Sequence, residues 1–245
     1  MPVDNANEYS GNINLEIISE NYQFNEWMYE QVNRGLRDTN ENILEVGSGL
    51  GTFSEKIIHN RLPGSKIVLT DISDKYLLGL KEKYSSYKNV SVHRLDLDNG
   101  DDYRNIGYEL FDFIIALNVL EHIKDDQFAL RELYKMLRKN GVMVVLVPCH
   151  KFLYNVIDEN VGHYRRYDKK ELVQKVNMTH FHLERISYFN VLGIVGWFFN
   201  GNLCKEPRIN RFASRWFDRL VPIQRCLDKM ILNSTGLSLI CYLKK

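Results

Sequence analysis

Two patterns in this chain can carry chemistry: a glycine loop followed by acids at strand-like intervals, and histidines set beside aromatic and basic residues. The run Leu44-Glu45-Val46-Gly47-Ser48-Gly49-Leu50-Gly51-Thr52 places three glycines at alternate positions. Glycine lets the backbone turn sharply and lets a ligand lie against the main chain without a Cβ clash. A helix opening at Thr52 would offer its free N–H groups to a polar or anionic ligand. Asp71 lies 22 residues beyond Gly49, where an acid at the end of the next strand takes the two hydroxyls of a ribose. Asp96-Leu97 ends a third apolar run and can meet an adenine amino group, and Asn118 ends a fourth. A dinucleotide fingerprint G-x-G-x-x-G would require glycine where Thr52 stands, so the pattern here is E-x-G-x-G-x-G.

His122 follows Asn118 by four residues, where the chain would leave the sheet. An unperturbed imidazole titrates near neutrality, so His122 is a candidate base, and His163 is the second. His163 sits within Gly162-His163-Tyr164-Arg165-Arg166-Tyr167. His150, Tyr164, Arg165, Arg166 and Tyr167 are the candidate acceptor contacts of a lid. The competing reading is a loop pinned by Arg–carboxylate pairs, for example with Asp158 or Glu159, with His122 merely packing its own turn. Asp125-Asp126 could imitate a metal site, but those residues also make an ordinary N-cap and first helical turn, so no metal is expected.

The elements that must position these groups alternate. Apolar runs at 42–46, 66–70, 90–95, 111–117 and 142–147 read as strands, and 52–60, 74–83, 125–138 and 168–177 as helices. Near-continuous apolar strands alternating with helices imply a doubly wound, mostly parallel α/β sheet covered on both faces. The segment 14–36 repeats apolar residues at helical spacing, 149–167 reads as a loop, and 181–188 and 237–243 as the last strands. Asp98, Asp101, Asp102 and Glu109 read as a solvated turn. Residues 1–13 are expected to be a flexible tail, 14–190 with 237–245 the core, and 191–236 a helical insert.

With those residues in view, the chain resembles the class I S-adenosylmethionine-dependent methyltransferases. Glu45, Gly47, Ser48, Gly49 and Gly51 match the family's first motif, Asp71-Ile72 its ribose-binding position and Asp96-Leu97 its adenine-binding position. Asn118-Val119-Leu120-Glu121-His122-Ile123 matches the motif after the fourth strand. The resemblance implies S-adenosylmethionine as cofactor and a Rossmann-like seven-stranded sheet with its last strand antiparallel. Gly162 to Tyr167 and Tyr188 to Trp197 resemble a subgroup associated with polysaccharide biosynthesis, which implies O-methylation of a sugar, glycan or related small-molecule hydroxyl. The alternatives are an NAD(P)-dependent oxidoreductase on a similar sheet and a non-catalytic S-adenosylmethionine-binding protein.

Charge and composition narrow the partners. The 245 residues carry 32 Lys+Arg against 31 Asp+Glu, a formal charge of +1, which argues against a nucleic-acid coat. No apolar run reaches the ~20 residues of a spanning helix, and the first residues show no secretory pattern, so a cytoplasmic protein is expected. Cys149, Cys204, Cys226 and Cys241 lack paired spacing and read as reduced, mostly buried thiols. Between 205 and 229 stand seven Lys/Arg and three Asp/Glu. Ile209, Phe212, Trp216, Phe217 and Leu220 repeat there at helical spacing, opposite Arg211, Arg215 and Arg219. That segment reads as a packed lid, with a dimer contact or peripheral contact of 196–229 with the inner face of an anionic membrane, towards a lipid-linked acceptor, as alternatives.

Overall fold

In the computed structural model, which describes residues 12–37, 41–61 and 64–245, the alternating pattern becomes a seven-stranded sheet. Two helices open it, α1 (Asn12–Ser19) and α2 (Tyr22–Asn33). The first strand-helix units follow as β1 (Asn42–Val46), α3 (Thr52–His59), β2 (Lys66–Asp71), α4 (Asp74–Lys83), β3 (Val90–Arg94), α5 (Gly100–Ile106) and β4 (Phe111–Leu117). A short 3-10 turn, Leu120–His122, leads to α6 (Asp126–Met136) and β5 (Leu137–Pro148). Beyond them lie α7 (Val156–Asn160), α8 (Lys169–Asn177), β6 (His182–Phe189), α9 (Val191–Trp197), α10 (Arg211–Arg219), α11 (Val221–Met230) and β7 (Ser238–Lys244).

The strand order is β3-β2-β1-β4-β5-β7-β6. The first five strands are parallel and β7 pairs antiparallel with both β5 and β6. Successive residues of the central strands feed opposite faces. Phe113, Ile115, Val144 and Leu146 join Trp27, Ile43 and Ile67 on one side, while Ile114, Ala116, Met143 and Val145 join Tyr103, Leu130 and Leu133 on the other. This is why those strands read as unbroken apolar runs.

Several expectations need correction. The helix expected over 14–36 is broken, because the Asn25 side-chain amide donates to the Ile18 and Ser19 carbonyls and so ends α1. The acidic stretch near residue 100 is not a plain turn but α5, capped by Asn99, whose side chain accepts from the Asp101 N–H. Strand β5 begins at Leu137, with an irregularity that skips from Leu137 to Val142 against β4. The loop 149–167 contains α7, headed by a capping box between Asn155 and Asp158. Cys149 and Cys241 are buried, but Cys204 and Cys226 are exposed. The expected tail lies outside the described residues as far as residue 11, and residues 12 and 13 begin α1. No helix among the described residues is long and apolar enough to cross a membrane.

Candidate active site

The carboxyl ends of β1, β2 and β4 converge on one cavity of ≈470 Å³. Gly47 and Gly49 lie on its wall with φ of 70° and 52°, a region costly for residues with a Cβ. A Cβ on Gly47 would meet Val119 Cγ2 at 2.6 Å, and one on Gly49 would meet Leu15 at 3.1 Å. The Gly49 N–H donates to Asp71 Oδ2 at 2.9 Å, and the Ser73 N–H to Asp71 Oδ1 at 2.8 Å. Burial raises the Asp71 carboxyl above its ordinary range, against these backbone donors. Glu45 is buried at the base of the loop, accepting from Ser48 Oγ at 3.1 Å and from Ser54 Oγ. Burial pushes its pKa up to about 7 in spite of both hydroxyls.

At the other end stand the histidines. His122 and His163 both line the cavity, with ring centroids 4.6 Å apart. Burial, and then the neighbouring His163, bring the His122 pKa down to about 4, so its imidazole is neutral at physiological pH. His163 Nδ1 bonds Asp158 Oδ1 at 2.7 Å, and its Nε2 stands 3.8 Å from Glu121 Oε1. Glu121 is wholly buried, and burial pushes its pKa up to about 7. Asp158 is the hub of this end. Arg166 Nε donates to both its oxygens at 2.9 Å, Trp197 Nε1 donates at 3.2 Å, and the Asn155 N–H at 3.1 Å. Burial alone would raise Asp158, but the bonds from His163 and Arg166 hold it below the ordinary carboxylate range.

Residues 44–143 match the family model described as a methyltransferase domain. The matched segment runs from β1 into β5. A solved structure of similar fold, phosphoethanolamine N-methyltransferase 2 of Haemonchus contortus, with a TM-score of 0.62 and 15% identity over 95% of this chain and 57% of that one, holds S-adenosylmethionine. Over 130 residues the chain is 35% identical to a probable polyketide synthase 42 of Dictyostelium discoideum, covering 46% of this chain and 5% of that one. It is 32% identical over 123 residues to malonyl-[acyl-carrier protein] O-methyltransferase 1 of Ilyobacter polytropus, covering 46% of this chain and 44% of the relative. The chain therefore spans less than half the length of these curated relatives. In fold it is similar to an S-adenosylmethionine-dependent methyltransferase of Mesorhizobium loti, with a TM-score of 0.64 and 14% identity over 90% of this chain and 98% of that one.

The residues of this cavity fit an adenosyl cofactor. A Cβ-free cradle at Gly47 and Gly49 adjoins an acid whose oxygens hold only backbone donors, and Ile72, Leu95, Leu97 and Val119 supply an apolar slot. Asn118, with φ of 52°, also lines the cavity and turns the chain away from β4. Three cofactor positions differ from expectation. Gly51 stands off the wall as the N-cap of α3. Ser48 lies on the wall with its hydroxyl turned to Glu45. Asp96 is outside the wall, its Oδ1 accepting from the Asp98 N–H and its own N–H donating to Asp102.

The expected acceptor loop is largely a set of pins. Arg166 touches the cavity but is buried against Asp158 and stacked over Trp197 at 4.5 Å. Tyr167 is buried and donates to Asp126 Oδ2 at 2.7 Å, while Arg165 pairs with the same acid at 3.0 Å. Tyr164 is exposed and is not part of the cavity wall. His150 is off the wall, stacked on Tyr188 and bonded to Thr235. Arg165, Arg166 and Tyr167 are spent because Asp126 and Asp158 are buried acids that require cationic or hydroxyl partners. Asp125 does cap α6, accepting from the Phe128 N–H.

Sequence reasoning gave Asp158 only as an example of a pin for the arginines and Glu121 only as part of a motif, and it did not foresee that the first helix shares the roof with the insert. Leu15 and Ile18 of α1, Ile157 and Val161 near α7, and Trp197 and Ile209 of the insert all line the cavity. The spacing Asn155-x-x-Asp158 was a readable capping-box signal. The roof had no local signal, because its residues meet only across the fold.

Proposed function

We propose that this protein transfers a methyl group from S-adenosylmethionine to a polar atom of an acceptor with an apolar body, an acyl or lipid-like molecule. The observation that carries this reading is the single cavity running from Gly47 and Asp71 to His122 and His163, walled beyond them by Leu15, Phe24, Ile157, Trp197 and Ile209. Three asparagines of that wall are engaged within the fold. Asn14 holds Pro207 and Ile209, Asn25 holds the end of α1, and Asn190 caps α9. A free sugar, the expectation from sequence, would find few open hydrogen-bonding groups there, although a sugar carried on a lipid remains compatible. The relatives, a probable polyketide synthase and a malonyl-[acyl-carrier protein] O-methyltransferase, support the same class of acceptor.

When bound, the cofactor supplies an electrophilic methyl group on a sulfonium, so the chain's work is binding, alignment and proton handling. Alignment of reacting groups is worth about 7–11 kcal/mol. The acceptor's reacting atom faces His122 and His163, and removing its proton falls to this pair, a contribution of about 10²–10⁴-fold. His122→Ala and His163→Ala are therefore expected to cut turnover by about that factor while S-adenosylhomocysteine binds within about threefold of wild type. Release of S-adenosylhomocysteine with acyl thioesters, fatty acids and nucleotide sugars tests the acceptor class. Turnover on the sugars alone would overturn it, and turnover on nothing would favour a non-catalytic binding protein.

We also propose that α10 meets an anionic lipid surface. Phe212 and Trp216 are 73% and 51% exposed, with Arg211, Arg215 and Arg219 beside them. An apolar ridge rimmed by arginines suits an anionic bilayer and would bring the cavity to a lipid-like acceptor.

A further inference from the structure

Glu121 lies in the three-residue turn after β4, fully enclosed, and neither of its carboxylate oxygens has a hydrogen-bond partner. Buried carboxylates are normally hydrogen-bonded, ion-paired or metal-bound, so this one lacks the group it is shaped for. Two imidazoles surround it. His163 Nδ1 bonds Asp158 Oδ1, which leaves Nε2 as the ring nitrogen that faces Glu121 Oε1, 3.8 Å away. The His122 ring stands edge-on to His163, and one ligand atom from each of Glu121, His122 and His163 lies within 4.8 Å of the others.

We propose that Glu121, His122 and His163 hold one divalent transition-metal ion, with a coordination position open to the cavity. Two imidazoles and a carboxylate are the donor set of open zinc and non-haem iron sites, and they disfavour magnesium, which prefers oxygen ligands. Ligand atoms of such a site stand ~3.3 Å apart at bond lengths of ~2.1 Å, so the three side chains close by about an ångström or less. Asp158 is the outer partner that orients the His163 ring, as carboxylates behind metal-bound histidines do. Arg166 and Trp197 hold Asp158 in turn. Both histidines line the cavity, so the open position faces the space where an acceptor oxygen would lie. In that one respect the proposal rests on the methyl-transfer reading. With the ion bound, His122 and His163 act as its ligands in place of the base role: the ion would bind the acceptor oxygen and lower its hold on a proton, which passes to solvent water.

The test is titration of the chelator-stripped full chain with Zn²⁺ by calorimetry and with Co²⁺ by visible absorption. One equivalent is expected to bind, with the Co²⁺ spectrum of a nitrogen- and oxygen-ligated site. Glu121→Gln and His163→Ala should each weaken binding by about 100-fold or more, beyond the ~10–100-fold of an outer-shell change. Both variants should still bind S-adenosylhomocysteine, which shows them folded. No stoichiometric binding, binding undiminished in both variants, or a sulfur-ligated Co²⁺ spectrum from the exposed Cys204 and Cys226 would overturn the site. S-adenosylhomocysteine binding without metal binding removes the ion and leaves the methyl-transfer reading standing. The converse result keeps the ion and removes that reading.

Discussion

Glu45 is a buried acid with two serine hydroxyls as its hydrogen-bond donors. Its folded-state pKa is raised from 4.5 to about 7. Its contribution to stability is therefore whole below pH 4.5 and is lost as pH rises through about 7, a cost on the order of 3 kcal/mol at pH 8. In urea titrations of the cofactor-free protein, Glu45→Gln is expected to gain on wild type between pH 5 and pH 8. Parallel pH dependences would contradict the assignment. Arg166 is the opposite case, a buried cation that Asp158 requires. Arg166→Ala should cost about 3–5 kcal/mol in the same titration, because it strands a buried carboxylate, whereas the exposed Tyr164→Ala should change little. Gly47, Gly49 and Asp71 were legible in the sequence because each answers to a local demand, a left-handed backbone or a strand end. Arg165, Arg166 and Tyr167 were not, since the types that grip a substrate also pin buried acids. Asp126 and Asp158 became their partners only through the fold.

At the scale of elements, the strands were legible from their apolar runs, while the helices were legible only where one face was clearly apolar. α10 shows why the rest was not. Its Phe212 and Trp216 fall at a spacing that reads as a packed face, yet its inward face is polar. Ser214 accepts from the Asn21 side chain, and Asp218 accepts from the Gln23 and Phe24 N–H groups at the head of α2. Two specific polar anchors set the helix rotation, and the aromatic residues were left outside. If those residues meet lipid, wild-type protein should sediment with vesicles containing phosphatidylglycerol, less so as salt rises, and a Phe212→Ser, Trp216→Ser pair should remain in the supernatant. Equal sedimentation of wild type and variant would remove the membrane contact.

At the scale of the molecule, the order β3-β2-β1-β4-β5-β7-β6 makes the switch between β1 and β4 the place where a ligand crevice opens. The sequence announced the floor of that crevice through its glycine loop. It did not announce the roof, which the first helix and the insert build from opposite ends of the chain. Asn14 joins them by bonding Pro207 and Ile209, and Glu20 pairs with Arg211 and Arg215. The most direct measurement is calorimetric titration of S-adenosylhomocysteine into wild type, Asp71→Asn, Gly47→Val and Tyr164→Ala. One equivalent should bind to wild type and to Tyr164→Ala alike, with affinity falling at least tenfold in Asp71→Asn and heat vanishing in Gly47→Val. Absence of binding to wild type, or equal affinity in all four proteins, would contradict a cofactor held between the glycine loop and Asp71.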